Sequence, residues 1–147
     1  MQTCDEGSGA SLTVTDNLIS KFEELKVRRK LRYLTVVIGE TLIDVDKSGD
    51  KDATYSNLKF ALPFTDCRYV IYDQEYQSAD RGTQNKLWLI CWFPDNATTY
   101  NKMAYTSAKS QMQEKMTGVT ECLVRSLEEL DEALGVAEDD EDSDMDL

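Results

Sequence analysis

The sequence predicts a mixed α/β domain, with a five- to six-stranded sheet flanked by helices on both faces. Three observations carry this. The run Leu87 to Phe93 is almost wholly apolar, too short to cross a membrane and of the right length for a buried strand. A breaker-free stretch of about 18 residues follows it, enough for a helix of roughly 27 Å. Segments rich in β-branched residues alternate with helical periodicity in the order α-ββ-α-ββ-α-β-α, the pattern of a mixed sheet with two helical layers. A chain of 147 residues that is 41% hydrophobic is one domain with a sizeable core.

Taken in order, residues 1–11 read as a mobile polar segment, 12–135 as the folded domain, and 136–147 as a disordered acidic tail. Thr15 or Asp16 caps a helix running to about Arg29, with Leu18, Ile19, Phe22 and Leu25 as its apolar stripe. Arg32 to Gly39 and Thr41 to Asp46 read as two strands joined by a Gly-Glu turn, followed by a polar turn from Lys47 to Asp52. Tyr55 to Leu62 is a short helix closed by Pro63. Cys67 to Tyr76 reads as a strand, Gln77 to Gln84 as a polar loop and Lys86 to Phe93 as the next strand. Pro94 and Asp95 stop that strand, and Gly118 ends the long helix. Val119 to Val124 is a last short strand. Ser126, with Glu129 three residues on, is a capping box for a final helix to Leu134, stopped by Gly135.

Composition excludes several function classes. There is no histidine, so the commonest general base and metal ligand is missing. No glycine-rich phosphate loop occurs, and Asp46 to Asp52 lacks the downstream glutamate of a calcium loop. Asp95 reads as a turn former or helix cap. Cys4, Cys67, Cys91 and Cys122 lack metal-ligand spacing and read as reduced thiols. The expectation is therefore a non-enzyme without cofactor or metal. No apolar signal region opens the chain, which points to the cytoplasm. The net charge is −12, yet six of the sixteen bases lie between Lys21 and Arg32, while seven acids and no base fall between Val136 and Leu147. Nucleic acid would repel the whole, although Lys26, Arg28, Arg29, Lys30 and Arg32 could meet phosphoinositide headgroups locally.

On a helical wheel Ala104, Tyr105, Ala108, Met112 and Met116 share one arc and face the core. Lys102, Met103, Thr106, Lys109, Ser110 and Gln113 share the opposite side. An apolar Met103 on a lysine-bearing face fits either an isolated exposed residue or an adaptable anchor for a partner.

The run W-F-P-D-N-A at Trp92 to Ala97, followed by K-M-A-Y-T-S-A-K at Lys102 to Lys109, resembles the signature of the ADF/cofilin family of actin-binding proteins. Phe22 to Tyr33, Ala53 to Pro63 and Asp66 to Asp73 match further family segments in the right order, so the resemblance spans roughly Leu12 to Leu134. It implies a single actin-depolymerizing-factor homology domain. It also implies an actin-monomer site formed by Lys102, Met103, Thr106, Lys109, Ser110 and Gln113, with Ser8, Gly9, Ser11 and Leu12 from the N-terminal segment.

Three departures qualify the resemblance. Thr98 and Tyr100 stand where relatives usually carry a proline and a base. Gln84 replaces the first of a basic pair, leaving Lys86. The final helix reads L-E-E-L-D-E-A-L, acidic where many relatives are basic. The last two departures concern the filament-side site, here Arg81, Gln84, Lys86 and Arg125. Added acids there repel acidic actin. The expected function is monomer binding and filament disassembly by a monomeric, actin-associated chain, with filament binding and severing weakened and nuclear entry open. The rivals are a conventional severing cofilin and a phosphoinositide-binding membrane-surface regulator. Ser8 or Ser11 is the candidate phosphorylation switch. The acidic tail is expected to oppose filament docking, to fold back on the Lys21 to Arg32 cluster, or only to solubilise.

Overall fold

The structure is a computed structural model that describes residues 12–135; the segments read above as a mobile N-terminus and an acidic tail lie outside the described residues. Its elements are β1 (Thr13–Val14), α1 (Asp16–Lys26), β2 (Leu31–Ile38), β3 (Leu42–Asp50), α2 (Tyr55–Ala61), β4 (Arg68–Ser78), β5 (Gly82–Trp92), α3 (Thr99–Lys115), β6 (Thr120–Val124) and α4 (Leu127–Leu134). The strands form one six-stranded sheet in the order β1-β3-β2-β4-β5-β6. Its centre is antiparallel, and β1 and β6 add in parallel at the edges.

Alternation along the two central strands divides the core. Tyr69 and Ile71 of β4, with Leu89 and Cys91 of β5, meet Leu18, Phe22 and Leu25 of α1 and Tyr105, Ala108, Met112 and Met116 of α3. The intervening residues Val70, Tyr72, Trp88, Ile90 and Trp92 point the other way, onto Leu58 of α2 and Leu130 and Leu134 of α4. The strand period of two produces this partition, since successive side chains leave opposite faces. Desolvation of the thiols pushes Cys67 and Cys122 up to about 11 and Cys91 up to about 12.

Several boundaries differ from the sequence reading. The first helix stops at Lys26 rather than Arg29, because Arg29 takes a left-handed backbone (φ 59°). Strand β3 continues through the stretch read as a polar turn, with Gly49 beneath the Tyr33 ring, where a Cβ would lie 2.3 Å from a ring carbon. The stretch Gln77 to Gln84, read as a loop, is mostly ladder. Here Glu75 pairs with Asn85, Tyr76 with Gln84, Gln77 with Thr83 and Ser78 with Gly82, leaving only a tight turn at the tip. Backbone pairing carries this polar hairpin, with Gln77 Nε2 donating to Thr83 Oγ1 across it (2.9 Å). On α3 the cap is Thr98, whose hydroxyl accepts from Asn101 N, not Asp95. The helix stops at Lys115 before reaching Gly118. Gly118 instead lets Lys26 approach: a Cβ there would fall 2.7 Å from the Lys26 ammonium, which donates to Thr117 O (2.7 Å). The short β1, absent from the sequence reading, pairs with β3 at Thr13↔Leu42 and Val14↔Ile43.

Candidate functional site

The inner side of α3 is fully committed to the first core. Tyr105 sits between Tyr69 and Phe93, and its hydroxyl accepts from Ile38 N (3.1 Å). Tyr69 OH in turn donates to Tyr105 O. Burial pushes both phenols up, so both stay neutral hydrogen-bonding groups. Arg68 lies beside Tyr105 and is fixed by Asp66 (2.7 Å) and Asp46 (3.0 Å). With α3 pinned this way, its rotation is settled and its outer side is presented to solvent.

On that outer side Met103 is 65% exposed, a thioether with no core to fill. Lys102 is half-buried at its stem, and its ammonium donates to Asp95 O (3.4 Å). Thr106 returns its hydroxyl to Lys102 O (2.7 Å). Lys109 pairs with Glu121 of β6 (3.3 Å), and Gln113 donates to the same carboxylate (2.8 Å). The site's two lysines therefore differ: Lys109 carries a counterion and Lys102 carries none among the described residues. Ser110 is exposed. The sequence reading missed Glu121, since no local pattern ties a strand residue to a helix turn.

A second missed residue is Gln111. Its side-chain oxygen accepts from Leu12 N (3.0 Å) and its amide donates to Leu12 O (2.6 Å). This two-bond clamp brings Leu12, at the start of the described chain, onto α3. Ser8, Gly9 and Ser11 lie outside the described residues.

The residues assigned to a filament-side site do not lie together. Arg81, Gln84 and Lys86 belong to the β4–β5 hairpin, where Lys86 lies over the Trp88 ring (4.5 Å) and Gln84 donates to Arg81 O (3.2 Å). Arg125 follows Val124, which pairs with Trp92 at the other end of β5, about 26 Å from Gln84 at the strand rise. It lines a cleft with Phe64, Asp95, Asn96 and Leu127, at the entrance to α3.

The basic cluster is partly spent inside the fold. Lys26 is held by Thr117 and lies over Phe22. Arg29 pairs with buried Asp73 (3.2 Å). Arg32 donates to Asp73 O (3.1 Å) and Lys51 O (3.0 Å). Arg28 and Lys30 are exposed.

The family model described as cofilin/tropomyosin-type actin-binding protein matches residues 11–138. The chain is 39% identical to actophorin of Acanthamoeba castellanii over 112 residues, covering 75% of this chain and 80% of that protein. It is 31% identical to actin-depolymerizing factor 1 of Zea mays over 131 residues, covering 88% and 94% respectively. Among solved structures, Streptomyces griseoflavus cofilin superposes with a TM-score of 0.75 at 33% identity, covering 82% of this chain and 90% of that one. Plasmodium berghei actin depolymerization factor 2 superposes with a TM-score of 0.74 at 25% identity, covering 86% and 94%. With the family model spanning the whole described domain, this chain is a member of the ADF/cofilin family of actin-binding proteins.

Proposed function

We propose that this chain binds actin monomers through the outer side of α3 and promotes filament disassembly, with filament-side binding and severing weakened. One observation carries the reading: Met103 stands exposed beside Lys102, a cation without a counterion among the described residues, on a helix whose other side is locked. A desolvated thioether anchor beside a charge-assisted bond is the pairing that gives an interface both area and orientation. Gln111 holds Leu12, the first described residue, on the same helix.

The filament side is weaker in charge. The hairpin offers Arg81 and Lys86, with neutral Gln84 between them, and α4 carries Glu128, Glu129, Asp131 and Glu132. Actin is acidic, so those carboxylates oppose docking within about 8 Å at physiological salt. Phosphate on Ser8 or Ser11 adds about −1.5 to −2 charges to the N-terminal segment, which repels acidic actin and lowers monomer affinity. The site needs no cofactor and no covalent chemistry.

Monomer binding measured beside filament co-sedimentation tests the reading. In the variant carrying Lys102→Ala and Met103→Ala, monomer affinity falls at least tenfold, from lost contacts of about 1–3 kcal/mol each, while the circular dichroism spectrum is unchanged. Unchanged affinity in the folded variant overturns the site. Filament binding as tight as monomer binding overturns the preference.

A further inference from the structure

We propose that the basic cleft between the α1–β2 turn and the β4–β5 hairpin is a docking site for this chain's own acidic segment, Glu138 to Asp146. The cleft, of about 420 Å³, is lined by Arg28, Arg29, Leu31, Arg32, Lys51, Asp73, Glu75 and Asn85. Four cations thus face two carboxylates in a protein whose net charge is −12. The carboxylates do not cancel the cations. Asp73 is buried and already engaged on both oxygens, accepting from Arg29 Nε (3.2 Å) on one and from Asn85 Nδ2 (3.0 Å) on the other. That leaves Glu75 as the cleft's single solvent-facing acid. Among the described residues Arg28 and Lys51 have no ion-pair partner, and half of the Arg29 side chain is exposed. Arg32 is held by two backbone carbonyls, which fix its direction without neutralising it.

The occupant is indicated by where the chain leaves the fold. Gly135 ends α4 in a left-handed cap, and the preceding carbonyl, Leu134 O, accepts from Gln74 Nε2 (2.9 Å). Gln74 adjoins Asp73, the floor of the cleft. Their side chains leave opposite faces of β4, so the segment would reach the cleft past the end of the β2–β4 ladder. Strand β2 pairs with β4 as far as Tyr33↔Tyr72, and beyond that pair the Asp73 carbonyl accepts from the Arg32 guanidinium. Twelve residues follow Gly135, seven of them acidic. Extended, they span at most about 40 Å, and as a flexible chain roughly 20 Å. A tethered acidic segment meets the cleft at an effective concentration in the millimolar range, so weak individual pairs suffice. The proposal does not depend on how the chain binds actin.

The test uses the full-length chain and a full-length variant with Glu138→Gln, Asp139→Asn, Asp140→Asn, Glu141→Gln, Asp142→Asn, Asp144→Asn and Asp146→Asn. Backbone amide NMR shifts are compared at low salt (about 20 mM) and high salt (about 500 mM), where the Debye length shrinks several-fold. Differences between the two proteins are expected at Arg28 to Arg32, Lys51 and Asp73 to Glu75 at low salt, unchanged on tenfold dilution and lost at high salt. Tripolyphosphate, as a soluble probe of the cleft, should bind the variant at least tenfold more tightly at low salt. Arg28→Glu with Lys51→Glu in the otherwise native chain should abolish the tail-dependent shifts. Identical spectra at the cleft, shift changes confined to other surfaces, or shifts that vanish on dilution (docking onto another copy) each overturn the proposal.

Discussion

Asp44 shows how one side chain joins two elements. Its Oδ1 accepts from the Thr15 hydroxyl and from Val45 N, both at 2.7 Å. Thr15 Oγ1 itself accepts from Leu18 N and caps α1 (3.1 Å). These donors, Thr15 foremost, hold the carboxyl below its ordinary 3.8. A depressed carboxyl stabilises the fold above its unfolded value, and that contribution is lost as pH falls through the lower folded value. Asp44→Asn should therefore lower stability at pH 7 and flatten the acid side of the stability profile below about pH 4. Chemical denaturation from pH 7 to 2 measures it; an unchanged acid slope removes Asp44 from the account. Gln111 is the second informative residue. Gln111→Ala deletes two bonds of about 1 kcal/mol each, so Leu12 should exchange its amide hydrogen at least tenfold faster. Monomer affinity should fall with it while α3 stays helical. Fast exchange with unaltered affinity separates the clamp from the interface.

Elements were legible in the sequence in proportion to their apolar periodicity. The inner half of β5 was found because both faces are covered, giving a continuous apolar run, and β2 because it is rich in β-branched residues. The outer half of the hairpin was missed because Glu75, Tyr76, Gln77, Thr83 and Asn85 are solvated, and main-chain pairing leaves no hydropathy signal. The two-residue β1 exists only through its bonds to β3, such as Thr13 N to Thr41 O (2.9 Å). The helical wheel placed Met103, Lys102 and Lys109 on one side of α3, but it could not show Glu121 or Gln111, which depend on contacts distant in sequence. Arg81 and Arg125 share a filament-side assignment through the family resemblance, and β5 sets them at its opposite ends, which no local sequence pattern shows. The hairpin also carries the element-scale prediction. Gln84 lies between Arg81 and Lys86 near the tip, so Gln84→Lys adds a cation with little cost to the ladder. Filament co-sedimentation should rise about three- to tenfold at low salt, losing most of the gain at high salt. Monomer affinity should stay as it was. No gain at low salt would mean that the hairpin does not meet the filament.

At the scale of the whole molecule, one sheet serves two cores. The two tryptophans, Trp88 and Trp92, both lie in the α2–α4 core, while Leu18 is fully buried in the α1–α3 core on the opposite face. Each core draws alternate residues from the same strands, so losing one face frees the β4 and β5 backbone that supports the other. The trp-free core should therefore set the stability reported by fluorescence. Leu18→Ala removes buried methyl groups and leaves a cavity, costing about 2–5 kcal/mol, in the core on the opposite face from both indoles. Both indoles are fixed by local bonds, Trp88 Nε1 to Gln74 Oε1 (2.8 Å) and Trp92 Nε1 to Pro63 O (2.6 Å). If the sheet couples the faces, the fluorescence midpoint in urea falls in step with far-ultraviolet circular dichroism, in a single transition with an unchanged slope. If the cores are separable, circular dichroism shifts first and fluorescence keeps its native midpoint. The register of eleven paired residues between β4 and β5 argues for the single transition, because neither strand can leave one core while remaining in the other.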